Sequence, residues 1–267
     1  MTTPEVDQAM PIAETGERGL LIASRDPGYL SRQRGQFSNK VNFAGGQSVR
    51  PYSYQVVQDP TGSAPTQLVE RFELREGDCF SASDCSTDRE RAEISIADAA
   101  SYAEEAWYQM YLYVPEGFHV RNTYSHVGFN FHTNYRDGRW RDTALITPIM
   151  GGTESVARHY AMVYNGQRRE RLFLKPYLAM VGRWTKIELH SKWHEDGFHR
   201  FFYNDELVYD YRGYTLGADA ASPFRLQYGI YRGSIESMKQ RWGYDVFPTQ
   251  TELYSGVRKS SVKEGWV

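Results

Sequence analysis

Along most of the chain apolar and polar residues alternate one by one. The runs SYQVVQD, TQLVERFELR, RAEISIA, AWYQMYLYV, HVGFNFHTN and ARHYAMVYN, followed by ERLFLKPY, WTKIELHSKW, HRFFYNDELVYDY, FRLQYGIYR and ELYSGVRK, are rich in β-branched or aromatic residues at period two. Each is bounded by Gly, Pro, Asn or Asp. This is the period of a β-strand, whose successive side chains leave opposite faces. The dipeptides Asn165-Gly166 and Asn204-Asp205 are natural hairpin turns, because these residue types accept the left-handed backbone of a two-residue connection. One short Ala-rich stretch, from Ile96 to Glu105, is the only helix candidate.

Roughly a dozen strands with few helical patterns predict an all-β chain in which two antiparallel sheets pack face to face. The expected fold is a β-jelly-roll (concanavalin-like) sandwich. No period of 20 to 50 residues recurs, so a solenoid or propeller is not expected. The polar first 18 residues read as a flexible N-terminal segment, and residues 19–267 read as a single domain.

Composition changes this picture in one respect. The 267 residues are 40% hydrophobic, with 31 basic groups against 33 acidic ones, as in an ordinary globular protein. With no basic block, nucleic acid is not an expected partner. The aromatic content is the informative part: 20 Tyr, 13 Phe and 6 Trp supply core rings and, beyond them, flat faces with polar tips of the kind that stack on sugars. No apolar run approaches the ~20 residues that cross a bilayer, so no membrane partner is expected. The opening MTTPEVDQAMPIAETGERG lacks a charged region followed by an apolar one, so no signal peptide is visible in it; a removed signal or another export route remains open. Cys79 and Cys85 lie in GDCFSASDCSTD, a Gly/Ser/Asp-rich loop that can bring them within bridging distance. A disulfide is the favoured reading, and with it a secreted or periplasmic location. Two free thiols are the competing reading, ahead of a metal pair.

Three strands place polar side chains on an alternate face among apolar neighbours. In TDRERAEIS, Arg89, Arg91 and Glu93 share a face, and two guanidiniums beside a carboxylate make a site for a substrate carboxylate, with Glu93 holding an arginine in place. An exposed row of ion pairs would read the same way. In HVGFNFHTN, His126, Gly128, Asn130 and His132 face away from Val127, Phe129 and Phe131. In FRLQYGIYRG, Gln227, Gly229 and Tyr231 share one face and Tyr228, Ile230 and Arg232 the other, and the central glycine leaves room for a ligand to approach the backbone. Taken singly, the histidine also fits a structural hydrogen-bonding role and the tyrosine a place in the core.

Together the three resemble the jelly-roll polysaccharide lyase superfamily that includes heparin lyase I, glucuronan lyase and, more distantly, the alginate lyases. In that family an Arg-x-Glu strand, a Gln-x-His strand and a Lys-x-Gly-(Val/Ile/Leu)-Tyr strand line one concave groove. The matching residues are Arg91-Ala92-Glu93, Asn130-Phe131-His132 and Gln227-Tyr228-Gly229-Ile230-Tyr231. Residues 182 to 213 also resemble the family's Trp-initiated strand and the hairpin after it. The likeness covers most of residues 70 to 233. Asn130 stands where the family has Gln, shortening the amide by one methylene, and Gln227 stands where it has Lys, removing a cation.

The resemblance implies β-elimination beside a uronate, with glucuronan as first-choice substrate and alginate next. Arg91 and Asn130 would neutralise the C6 carboxylate, stabilising the enolate-like charge that makes the C5 proton acidic. Tyr231 would be the acid, and also the base where both protons lie on one side; His132 is the alternative base. Arg89, Gln227 and Tyr228 would bind neighbouring sugars. No cofactor is required; relatives leave room for a structural calcium in a loop. The expected partner is an acidic polysaccharide, acted on by a monomer. A non-catalytic carbohydrate-binding module or lectin of the same fold is the first alternative. A glycoside hydrolase ranks third, because the paired carboxylates such an enzyme needs are not apparent.

Overall fold

The computed structural model describes residues 41–44, 50–79, 82–117, 129–134, 140–144, 147–149, 158–164, 169–176, 179–220 and 223–263. His126, Gly128, the Asn165-Gly166 dipeptide and the segment 1–18 lie outside them. The strands in chain order are β1 (Val41–Ala44), β2 (Tyr54–Gln58), β3 (Leu68–Leu74), β4 (Arg89–Ala100), β5 (Glu105–Tyr113), β6 (Asn130–Asn134), β7 (Trp140–Ala144) and β8 (Thr147–Ile149). They continue with β9 (Arg158–Tyr164), β10 (Arg169–Pro176), β11 (Trp184–Lys192), β12 (Gly197–Tyr203), β13 (Glu206–Gly213), β14 (Phe224–Gly233) and β15 (Gln250–Ser260). Two helices are described, α1 (Ala82–Ser86) before β4 and α2 (Ile235–Trp242) after β14.

The pairing is antiparallel throughout these strands. A five-stranded sheet runs β1-β4-β14-β6-β7, a seven-stranded sheet runs β13-β12-β11-β5-β15-β3-β2, and β10-β9-β8 form a smaller third. The expected jelly-roll sandwich is therefore the observed fold. The Asn204-Asp205 turn has φ of 48° and 70°, the left-handed pair that a tight hairpin between β12 and β13 requires. The Ile96-to-Glu105 helix is a correction. Its first half is the end of β4: Ile96 pairs with Val41 and Leu226, and Ile96, Ala99 and Ala100 are buried in the core. Small apolar residues suit a strand covered on one side, and the sheet overrides a weak helical preference.

The two large sheets enclose one core. From the five-stranded sheet come Ala92, Ile94 and Ile96 of β4, Phe131 of β6, and Leu226, Tyr228 and Ile230 of β14. From the seven-stranded sheet come Phe72, Tyr108, Met110, Ile187, Leu189, Phe201 and Tyr254. Rings meet across the gap, as where Phe131 lies 4.8 Å from Trp193 and Phe72 packs edge-on against Tyr228.

Several ionisable groups are sealed in as well. Glu70 accepts hydrogen bonds from the hydroxyls of Tyr54 (2.7 Å) and Tyr228 (2.8 Å), and Glu252 accepts one from Tyr254 (3.0 Å). His199 bonds Ser191 at 2.8 Å, and burial lowers it to about 3, so it is a neutral core residue. At the end of β14 the buried Arg232 meets Glu90 at 2.5 Å and the Pro248 carbonyl at 2.7 Å. Charge inside a protein is tolerated when it is paired in this way.

Candidate active site

Because β4, β14 and β6 each turn alternate residues into the core, their intervening residues share the opposite face of the five-stranded sheet. On that face stand Arg89, Arg91, Glu93 and Ser95 of β4, Arg225, Gln227 and Tyr231 of β14, and Asn130 and His132 of β6. A flat outer face would leave such polar groups wet. Glu93, Asn130, Gln227 and Ser95 are instead only 2%, 4%, 5% and 8% exposed, while Arg89 and Arg225 on the same face are exposed.

Strand register sets the order along this face. Tyr231 lies opposite Arg91, Gly229 opposite Glu93, and Gln227 opposite both Ser95 and Asn130. His132 lies opposite Arg225. The His132 row is thus six residues along β14 from Tyr231, about 20 Å between backbone positions at roughly 3.3 Å per residue.

The tightest group is at the Tyr231 end. The guanidinium of Arg91 lies 4.7 Å from the centre of the Tyr231 ring. Its Nε and Nη2 each donate to one oxygen of Asp84 at 2.7 Å, and its Nη1 donates to Glu93 at 3.2 Å. Three of the five guanidinium protons are so engaged, which leaves two for a ligand. Burial alone would lower Arg91, but Glu93 and Asp84 reverse it and hold the group above its ordinary value. Burial pushes the Tyr231 phenol up, Arg89 and Arg91 pull it back, and the balance stays above 10.0. Tyr231 therefore rests as a neutral phenol.

Glu93 ties the two ends together. Burial raises its carboxyl, and Arg91, then His132, then Arg225 each draw it back down. Both the arginine beside Tyr231 and the distant imidazole thus act on one carboxylate.

The sequence-derived set is only partly assembled. Arg91, Glu93 and Tyr231 are in contact, Asn130 and Gln227 are neighbours in one row, and Arg89 is close enough to Tyr231 to influence its phenol. Tyr228 is a correction. It is 1% exposed, sealed between the sheets with its hydroxyl on Glu70, and so cannot touch a sugar on the opposite face. The glycine of β14 also has another explanation. Gly229 has φ of 123°, and a Cβ there would lie 2.3 Å from the Ala92 carbonyl oxygen and 2.9 Å from Phe72. The adjoining strand requires the glycine whether or not a ligand approaches. Cys79 and Cys85 are disulfide-bonded, as expected.

Two residues of the site escaped sequence reasoning. Arg225 carries the same alternation signal as Gln227 and Tyr231, two residues further back on the strand. Asp84 sits on α1, inside the disulfide loop, and no strand period points to it. Among the described residues, no group of three or more His, Cys, Asp or Glu gathers as a metal site, and no helix is long and apolar enough to cross a membrane.

A family model described as polysaccharide lyase matches residues 32–247. No curated protein matches the chain. Among solved structures, an endo-β-1,4-glucuronan lyase from the fungus Trichoderma reesei is similar over 85% of this chain and 96% of its own, with a TM-score of 0.58 and 17% identity. Alginate lyase vAL-1 from Chlorella virus is similar over 90% of this chain and 99% of its own, with a TM-score of 0.53 and 10% identity. At these identities the structural likeness is one of fold.

Proposed function

The chain belongs to the polysaccharide lyase family, carbon–oxygen lyases that act on polysaccharides, and from that membership we propose that it cleaves a uronic-acid-containing polymer by β-elimination. Glucuronan is the first substrate and alginate the second, after what the two similar structures are named for. The observation that carries the reading is the Tyr231 phenol beneath the Arg91 guanidinium, on a sheet face that also carries the buried Glu93, Gln227 and Asn130.

In this reaction the C5–H bond and the C4–O4 bond break, a C4–C5 double bond forms, and O4 leaves with a proton. The C5 proton is lost readily only when the charge passing into the C6 carboxylate is stabilised by fixed donors. The two free protons of Arg91 and the amide of Asn130 take that part. Tyr231 serves as both base and acid: as phenolate it takes the C5 proton, and as phenol it returns it to O4 on the same side of the ring. His132, six residues along the sheet, meets a sugar further along the polymer together with Arg225 and Gln227. Because Tyr231 rests as a phenol, turnover awaits its ionisation, which Arg89 and Arg91 favour.

Soluble glucuronan, alginate, heparin and hyaluronan are each incubated with the protein, and the ultraviolet absorbance of the new double bond is followed. The expected result is an unsaturated product from glucuronan or alginate, lost in Tyr231→Phe, with His132→Ala retaining turnover at a raised KM. Reducing ends without absorbance would replace the lyase by a hydrolase, and binding without any product by a carbohydrate-binding module. Equal loss of kcat in His132→Ala and Tyr231→Phe would return the base to His132.

A further inference from the structure

Arg91 is not held by its own strand alone. Between β3 and β4 the chain makes a short loop closed by the Cys79–Cys85 disulfide, and this loop contains α1. From α1 the buried Asp84 offers both carboxylate oxygens to one edge of the Arg91 guanidinium, each at 2.7 Å. The fork-to-fork geometry fixes the plane of the guanidinium as well as its position, which the single hydrogen bond that Arg91 donates to Glu93 cannot do. The loop is tied to β4 where the backbone N–H of Arg91 donates to the Asp78 carbonyl (3.2 Å), and its own turn is closed by the Thr87 N–H donating to the Asp84 carbonyl (3.1 Å).

We infer that Asp84 is a positioning residue: presented by a disulfide-closed loop, it clamps Arg91 over Tyr231 and orients the remaining guanidinium protons toward the substrate carboxylate. This inference rests on the lyase reading of the site. An arginine side chain carries much rotamer freedom, and a substrate carboxylate that had to freeze it would bind more weakly in the transition state. The disulfide brings the loop's two ends together, so that Asp84 is set before substrate arrives. Cys85 is exposed, which leaves the bridge open to a reductant.

The test follows the Tyr231 phenol itself. The charges acting on it are Arg89, Arg91 and Glu93 from β4 and Asp84 from α1, with the arginines stronger than the acids. The ultraviolet pH titration of the wild type minus that of Tyr231→Phe isolates this one phenol, and the same pair is measured in an Asp84→Ala background. If Asp84 holds Arg91 in place, its removal releases the guanidinium, and the phenol titrates at higher pH. If Arg91 stays where it is, only a negative charge has been lost, and the phenol titrates at lower pH. That result, or no change, overturns the proposal.

Reduction of the disulfide, or the Cys79→Ser/Cys85→Ser double variant, keeps the carboxylate and should also move the titration upward, which supplies the measurement if Asp84→Ala does not fold. On polymer, kcat/KM of Asp84→Ala should fall on the order of 10- to 100-fold. Asp84→Glu should restore part of it. Wild-type protein that releases no unsaturated product from any polymer would refute the lyase reading, while the phenol titration still decides whether Asp84 positions Arg91.

Discussion

Replacing Glu70 by glutamine should make the protein more stable in alkaline solution and leave it nearly unchanged in acid. Glu70 is fully buried between the two sheets. One carboxylate oxygen accepts the Tyr54 and Tyr228 hydroxyls, and the other has no hydrogen-bond partner. Burial raises its pKa from 4.5 to about 7, against the pull of the two phenols. The difference, 7 − 4.5 = 2.5, at about 1.36 kcal/mol for each pH unit is about 3 kcal/mol. The folded value lies above the unfolded one, so the native state takes up the proton. The stabilisation is complete below pH 4.5 and is lost as pH rises through about 7. Glutamine still accepts from both hydroxyls and never ionises. Thermal unfolding of both proteins from pH 4.5 to 9 should give curves that start together and separate, the variant melting higher by roughly 6–12 °C at the alkaline end. Glu252 is also buried with a raised pKa, but it is common to both proteins and cancels. Parallel melting curves, or a variant weaker at every pH, would refute the reasoning.

Other outcomes follow from the same coordinates. A tyrosine base held above its ordinary value makes kcat/KM climb through the alkaline range, whereas an imidazole base would give a rise complete by about pH 7–8, so the pH–rate profile separates the two. Gly229→Ala puts a Cβ on the Ala92 carbonyl at φ of 123°, and should lower stability in chemical denaturation by more than the roughly 1–3 kcal/mol of backbone strain alone. Glu90→Ala strands the buried Arg232 guanidinium at an expected loss of about 3–5 kcal/mol. The double variant Glu90→Met/Arg232→Met should recover most of that, and equal losses in single and double variants would show that the charge pair is not the cause.

How much of this was legible from the chain depends on the range of the interaction. Alternation in Arg89–Ala100 and Phe224–Gly233 already separates Arg91, Glu93, Gln227 and Tyr231 from their core-facing neighbours, because the direction of a side chain follows from the backbone of its own strand. The Asn204-Asp205 turn and the bridge of Cys79 to Cys85 are equally local, each decided within a few residues. The family motif adds an expectation of chemistry to that pattern. It goes astray at Tyr228, where the same alternation that sets Tyr231 on the polar face sends Tyr228, three residues away, into the core.

By itself, then, the sequence determined that the chain would be strands with one wet and one dry face, and which residues would share the wet one. Tertiary structure decided which of those residues meet. Register between strands distant in the chain put Tyr231 under Arg91 and set His132 six positions away, and no local pattern encodes that offset. It also brought Asp84 out of a polar loop onto the site, and it enclosed Glu70, Glu252, His199 and Arg232 inside the sandwich. Polar residues read as surface until their partners are known, and only packing supplies the hydrogen bonds and ion pairs that permit their burial.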